Sequence, residues 1–580
     1  SGKTSLLAKA IADIEKRTQG GAALPSNTRM IFRFVGATAK SSDIRYLLSG
    51  ICDEIYDAFN FEQQKKEKLA KLSGGEDASK KREEIEKEYE VTQDMRYLPN
   101  IFKGFLNKIP QDQKAIIFID ALDQMQNVEN ALKMEWLPND IPANVKIIIS
   151  TLPNFEDMRF ECFDALKTRL VPENILELPK MSADDGYKIL NAWLALTKRR
   201  LTDEQFETLL DAFEKNPYPL YLKLCFEEAC LWKSDLQVGT SLLGRNEKDM
   251  IEIIYRRLSR KHGAMLVDRC LGYLAAAKNG LSEDEIIDIL SSDEDFFKKF
   301  KKSVHWELPK ISVGEICSQP ESGGGVSHHA LKTIEKIPAV VWSRLYFDLA
   351  PYLCERDADG TTLFNFYHRH LHAAAKEKYL CCAERIKKHE ILAKYFMSKP
   401  HKTDKTTNLR KMSELPRHQA RGAMFDELTE TLTDLWFLSY KCSVGMYYEL
   451  LDDYEEAMRE LPEMQDEIKR EEESHLAIEK YTKDLIEYSK QCGNIPLPAS
   501  PESLTIQTDE EIDKEIERLK NNPDRIDRIK IFMQFIQSEG HNIIKNIDNP
   551  AFMFQQAYNG ADSGLVAEAA ELAVSGINDS

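Results

Sequence analysis

Lys114-Ala115-Ile116-Ile117-Phe118-Ile119-Asp120-Ala121-Leu122-Asp123-Gln124 decides how the rest of the chain is read. A short apolar run that ends in an acid has the pattern of a parallel strand buried on both faces. Its last carboxylate, Asp120, then emerges at the carboxyl end of the strand, where open α/β sheets bind their ligands. A carboxylate in that place can hold Mg2+, usually through water. Asp123, three residues on, is placed to orient an attacking water. Taken alone, the segment also fits a core strand followed by a solvated aspartate.

A second stretch separates these readings. Ser1-Gly2-Lys3-Thr4-Ser5-Leu6-Leu7-Ala8 matches the end of the phosphate-binding loop G-x-x-x-x-G-K-[ST] as it runs into a helix. In the full motif, backbone N–H groups cradle the phosphates, the lysine reaches the β/γ-phosphates and the hydroxyl ligates Mg2+. Ser1, Gly2, Lys3, Thr4 and Ser5 are therefore candidate nucleotide-binding residues. Thr4 and Asp120 are the candidate Mg2+ ligands, and Asp120 and Asp123 the candidate catalytic acids. The chain starts without Met and partway through the motif, so the expectation is a fragment cut inside the loop. Gly-Lys-Thr alone recurs in many chains; upstream of an acid-terminated strand, with strands and helices alternating between, it becomes specific.

Composition bounds the rest. The 580 residues suggest about three to five domains. Apolar residues make up 42%, enough for real cores, and charged residues 30%. A formal net charge of −18 argues against a general nucleic-acid-binding surface. No apolar stretch approaches the roughly 18 residues that span a bilayer. The 11 cysteines are scattered, without a C-x-x-C pair, which fits reduced, buried thiols and a cytoplasmic location. His368, His370 and His372 form a histidine cluster, but no acid or cysteine stands at a convincing spacing for zinc.

Residues 1–175 alternate strand and helix: a helix from about Lys3 to Lys16, a strand at Met30–Gly36, and a helix capped at Ser41-Ser42-Asp43 that carries Ile44, Leu47, Leu48, Ile51 and Ile55 at helical spacing. Residues 61–92 are rich in Lys and Glu and read as a solvated helical insertion. A helix from about Gln93 to Asn107 leads into the strand ending at Asp120, and Val145–Thr151 is the next strand. The expected fold is α/β, a doubly wound parallel sheet. Residues 176–244 become helical, broken at Pro217-Tyr218-Pro219. Residues 245–380 combine a capping box at Ser282/Glu285 with a short strand at Thr361–Phe366, which suits a winged-helix module. Residues 381–495 read as a helical arm. Residues 496–580 read as a proline-rich linker and a last helical segment.

The order of these pieces resembles the STAND class of P-loop NTPases, in particular NACHT proteins of the nephrocystin and telomerase-associated type, over nearly the whole chain. Asp120-Ala121-Leu122-Asp123-Gln124 looks like the NACHT Walker B, although the family often has a further acid where this chain has Gln124. Ile148-Ile149-Ser150-Thr151-Leu152-Pro153 looks like the branch whose sensor strand ends in Ser-Thr rather than arginine, which makes Ser150 the implied γ-phosphate contact, through a weak hydroxyl bond. Asn216-Pro217-Tyr218-Pro219-Leu220 is similar to the motif whose proline, here Pro219, packs on the nucleotide base. His368, in Phe366-Tyr367-His368-Arg369-His370, stands where the winged-helix domain of this class places a histidine against the β-phosphate of ADP. Leu435-Trp436-Phe437-Leu438 and Phe552-Met553-Phe554-Gln555-Gln556-Ala557 are similar to the segments that precede WD-type repeats.

The resemblance implies an ATP-binding switch in signal transduction, closed with ADP and oligomerising when open with ATP, with slow Mg2+-dependent hydrolysis. Its partners are then nucleotide, further copies of itself, and proteins engaged through an N-terminal effector and C-terminal repeats that the chain lacks. The alternative is a nucleotide-binding scaffold for protein–protein interaction that does not hydrolyse. A P-loop kinase fits less well, because so much helical material follows the sheet.

Overall fold

The computed structural model describes residues 2–19, 27–38, 40–71, 76–126, 128–154, 160–236, 242–303, 310–314, 331–403, 406–462, 524–549, 551–559 and 564–578. The expected linker at Pro496–Pro501 and the glycine run Gly323–Gly325 lie outside these residues, as does Ser1. The chain divides into two compact units, residues 1–254 with 356–358, and residues 255–355 with 359–580.

The first unit is built on three parallel strands. Helix α1 (Lys3–Gln19) follows Gly2 directly and packs against the central strand. Strand β1 (Thr28–Phe34) pairs with β2 (Lys114–Asp120), and β2 with β3 (Val145–Ile149), in the order β1-β2-β3. Ala115, Ile117 and Ile119 of β2 are each at most 1% exposed, as a central parallel strand requires. Among the described residues the sheet has these three strands, so the full doubly wound sheet is not complete in them. The expected strand at 145–151 is β3 to Ile149, and the backbone of Ser150 carries its ladder one residue further.

Helix α2 (Ile44–Ala58) starts where the sequence indicates. The Asp43 carboxylate accepts from the Arg45 N–H at 2.8 Å, and the Arg45 guanidinium folds back onto the same carboxylate at 2.6 Å. Its stripe of Ile44, Leu47, Leu48, Ile51 and Ile55 is at most 1% exposed and packs on α5 (Leu98–Lys108), which answers with Leu98, Phe102, Phe105 and Leu106. Each such side chain contributes roughly 1.5–3 kcal/mol on burial. Helix α5 begins at Leu98, later than the periodicity suggests. Pro99 is the reason: it lacks an N–H and restricts the residue before it, so it is tolerated in a first turn and not deeper. The charged insertion forms α3 (Phe61–Ala70) and α4 (Glu76–Glu88). Phe61 packs edge-on against Phe105 at 5.4 Å, anchoring an otherwise solvated pair of helices. Helix α6 (Glu161–Arg169) follows β3. Helices α7 (Ala183–Thr197), α8 (Asp203–Lys215) and α9 (Pro219–Ala229) then form the helical region, with a capping box at Thr202/Gln205.

Helix α10 (Glu247–His262) carries the chain onward. The second unit opens with α11 (Ala264–Ala276), α12 (Glu283–Ser292) and α13 (Glu294–Ser303), then an antiparallel pair, β4 (Lys310–Gly314) and β5 (Leu331–Glu335), and α14 (Ala339–Leu349). Strands β6 (Leu353–Ala358) and β7 (Thr361–Phe366) follow. Ser282 and Glu285 form the expected capping box on α12. Gly280, at φ +102°, lies under the Phe364 carbonyl, where any Cβ would collide, and this lets Leu281 and Phe364 pair. Helix α15 (Arg369–Tyr379) leads to an arm of α16 (Cys382–Met397), α17 (Leu409–Arg421), α18 (Phe425–Thr433), α19 (Leu435–Ser443) and α20 (Tyr447–Glu460). Helices α21 (Arg525–Ser538), α22 (Gly540–Lys545), α23 (Ala551–Asn559) and α24 (Leu565–Asn578) return to this arm. Tyr447 donates to the Ile536 carbonyl at 3.1 Å, and Trp436 lies 4.6 Å from the Phe554 ring.

A buried ionic hub joins α12, α17 and the turn before β7. Arg410 directs all five N–H donors at acceptors: Glu285 at 2.8 and 3.1 Å, Asp359 at 2.9 Å, Glu414 at 3.0 Å and the Gly280 carbonyl at 2.8 Å. Glu414 also accepts the N–H groups of Lys278 at 2.8 Å and Asn279 at 3.1 Å. Burial alone would raise the Glu414 carboxyl, yet Arg410 beside it holds it well below the usual range.

Candidate functional site

Three residues of the first unit gather at the carboxyl end of the sheet. Asp120 ends β2, 3% exposed, with its carbonyl accepting the Val35 N–H at 3.1 Å. Ser150 extends the ladder beyond β3: its N–H donates to the Ile119 carbonyl at 2.9 Å, and its own carbonyl accepts from Leu122 N–H at 2.9 Å. Between them the backbone turns sharply at Ala121, which sits at φ +56°. That left-handed conformation is uncommon for a residue with a side chain, and a small one tolerates it best.

The Ser150 hydroxyl fills the corner. Its oxygen accepts the Ala121 N–H at 2.9 Å and its proton goes to Asp120 Oδ1. The directions follow from chemistry, since a backbone N–H only donates and a carboxylate only accepts. Asp123 lies in the next turn, and its Oδ1 accepts the Leu152 N–H at 3.1 Å. Both acids are thus braced by the segment that leaves β3. Gln124 closes the other side: Gly36, at φ +81°, lies so close to the Gln124 carboxamide that a Cβ there would collide with it.

Of the residues singled out by sequence, the structure brings Asp120, Asp123 and Ser150 together. Gly2 precedes α1, with its carbonyl accepting from Leu6 N–H at 2.9 Å, and Lys3, Thr4 and Ser5 form the first turn of that helix. Carboxylate and hydroxyl oxygens are hard donors, and those of Asp120 and Thr4 suit Mg2+ by kind. Pro219 stands in the first turn of α9. His368 is the N-cap of α15, its Nδ1 accepting the His370 N–H at 3.3 Å. Burial, then the charges of His370 and Arg369, push its imidazole down to about 3. At neutral pH the ring is therefore uncharged, with its one proton on Nε2. Sequence reading missed the bracing N–H groups of Ala121 and Leu152, which no side-chain pattern reports. Gly36 offered a signal, a glycine just after a strand, but was read as the strand's end. Among the described residues no group of three or more His, Cys, Asp or Glu could hold a metal ion, and no helix is long and apolar enough to cross a membrane.

A family model described as "NWD1-like, winged helix-turn-helix domain" matches residues 238–319. The chain is 27% identical to human "NACHT domain- and WD repeat-containing protein 1" over 486 residues, 78% of this chain and 27% of that protein. It is 28% identical to human "NACHT and WD repeat domain-containing protein 2" over 403 residues, 68% of this chain and 20% of that protein. A shorter match, 22% identical over 215 residues, covers 34% of this chain and 8% of mouse "Telomerase protein component 1". The chain therefore spans about a quarter or less of the length of these curated relatives. It is a homologue of the NACHT and WD repeat-containing proteins, and it carries an NWD1-like winged-helix domain.

Proposed function

We propose that this chain is the nucleotide-dependent switch of a signalling protein, binding ATP or ADP together with Mg2+. The observation that carries the reading is the acid pair Asp120 and Asp123, fixed at the carboxyl end of the central strand by Ser150 and Leu152. Ligands of parallel α/β sheets bind at that end. Helix α1, which opens with Lys3 and Thr4, packs on the same strand. Lys3 would reach the β/γ-phosphates, and Thr4 and Asp120 would hold Mg2+, which neutralises charge on the phosphates when bound. Asp123 would orient the attacking water. Pro219 would pack on the base, and Ser150 would lie near the γ-phosphate.

In this proposal ADP keeps the nucleotide-binding, helical and winged-helix regions closed, with His368 as the latch on the β-phosphate. ATP favours an open form that self-associates and acts through effector and repeat regions beyond this chain. A nucleotide-binding scaffold that does not turn over is a second reading, favoured by one observation. Gln124 occupies the place where the family often has a further acid, and its carboxamide is packed at Gly36. Titration of Mg2+ with ATP or ADP into protein that carries a complete loop tests the first reading, and single-turnover hydrolysis separates the two.

A further inference from the structure

We propose that Ser150 is a positioning residue for Asp120, one that fixes which carboxylate oxygen is left for the metal and thereby sets the Mg2+ requirement of nucleotide binding. The proposal rests on the reading of Asp120 as the Mg2+-holding acid. It goes beyond that reading by giving Ser150 a different task from phosphate contact.

The hydroxyl has one proton, and that proton goes to Asp120 Oδ1. Its acceptor side is occupied by the Ala121 N–H at 2.9 Å. A hydroxyl so committed has no proton left to donate to a phosphate. Ser150 is itself 8% exposed and tied at both ends of its peptide, to Ile119 and to Leu122, so it has little freedom to turn elsewhere.

The consequence falls on Asp120. The Ser150 hydroxyl takes one acceptor site of Oδ1, which leaves Oδ2 as the less engaged oxygen for the metal or one of its waters. The same bond biases the carboxylate toward the orientation that presents Oδ2. Partners that orient a metal-holding group in this way typically change metal affinity by roughly 10–100-fold when removed.

The test compares wild type, Ser150→Ala, Ser150→Thr and Asp120→Ala in protein carrying a complete phosphate loop. ATP binding is titrated at increasing Mg2+, and the half-saturating Mg2+ is the quantity read. Thermal midpoint is recorded alongside, to separate loss of fold from loss of position. The expected result is a half-saturating Mg2+ raised roughly tenfold or more in Ser150→Ala and restored in Ser150→Thr. If Ser150→Ala superimposes on wild type while wild type needs Mg2+ and Asp120→Ala does not respond to it, the positioning role alone is overturned. If wild-type binding ignores Mg2+ and Asp120→Ala changes nothing, the metal reading falls, and the positioning role with it.

Discussion

The Ser150 hydroxyl donates to Asp120 Oδ1 while accepting the Ala121 N–H at 2.9 Å, so one small side chain holds both the acid and the sharp turn behind it. Asp123 is held independently, by the Leu152 N–H at 3.1 Å. The two acids can therefore be removed separately. Asp120→Ala is expected to abolish the Mg2+ dependence of nucleotide binding. Asp123→Asn keeps an oxygen for Leu152, so the turn survives and binding is spared, while turnover slows by about 100-fold or more. Steady-state kinetics checks this; an unchanged kcat in Asp123→Asn removes Asp123 from the water-orienting role.

His368 contributes to local structure as well as to the proposed latch, and the two can be told apart. Its Nδ1 caps α15 through the His370 N–H, leaving Nε2–H as a donor. A hydrogen bond to a charged phosphate is worth about 1.5–3 kcal/mol, or roughly ten- to a hundredfold in affinity. His368→Ala is expected to weaken ADP by that factor and raise the oligomeric fraction seen by light scattering. His368→Asn restores a good N-cap without the reach of an imidazole. ADP affinity recovered by asparagine would show that His368 is only a cap.

Arg410 holds three carboxylates, Glu285, Asp359 and Glu414. Removing one partner of a buried ionic cluster leaves uncompensated charge and costs about 3–5 kcal/mol. Arg410→Leu is expected to destabilise the second unit by that amount in urea unfolding. Arg410→Lys should recover only part, since an ammonium lacks the five-donor fork. A loss under about 1 kcal/mol in Arg410→Leu would contradict the hub.

His389 and His418 meet Nδ1 to Nδ1 at 2.8 Å, and Glu414 lies 3.3 Å from the far nitrogen of His418. Burial pushes both imidazoles below the ordinary value of 6.5; His418 adds to the shift at His389, and Glu414 partly opposes it at His418. The folded unit therefore binds fewer protons than the unfolded chain near and below that value. Stability from this pair is complete above pH 6.5 and is lost as pH falls below it. Chemical denaturation from about pH 7.5 down to about pH 5 should show a falling midpoint. A midpoint that rises on acidification would contradict the neutral pair.

The fold was legible where hydrophobic period and capping chemistry agree. The stripe of α2, the strand ending at Asp120, the capping box at Ser282/Glu285 and the strand at Thr361–Phe366 all follow from local sequence. Partners set by tertiary contacts were not legible. The Ser150 side chain serves Asp120, a partner thirty residues away in sequence, which the strand pattern does not announce. Likewise Arg410 looks like any charged residue of an amphipathic helix until Glu285, 125 residues earlier, is seen beside it. At the candidate site, the position of Asp120 was legible because an apolar run ending in an acid marks the end of a buried strand; the backbone N–H groups that brace the acids carry no sequence signature.

The central claim is that Lys3 and the acid pair form one nucleotide site, and Lys3→Ala tests it most directly. Isothermal titration of Mg2+ with ADP or ATP should be made into protein with a complete phosphate loop, wild type and Lys3→Ala side by side. Saturable binding by wild type that is lost in Lys3→Ala is the result expected. Equal affinity in the two proteins would contradict the account.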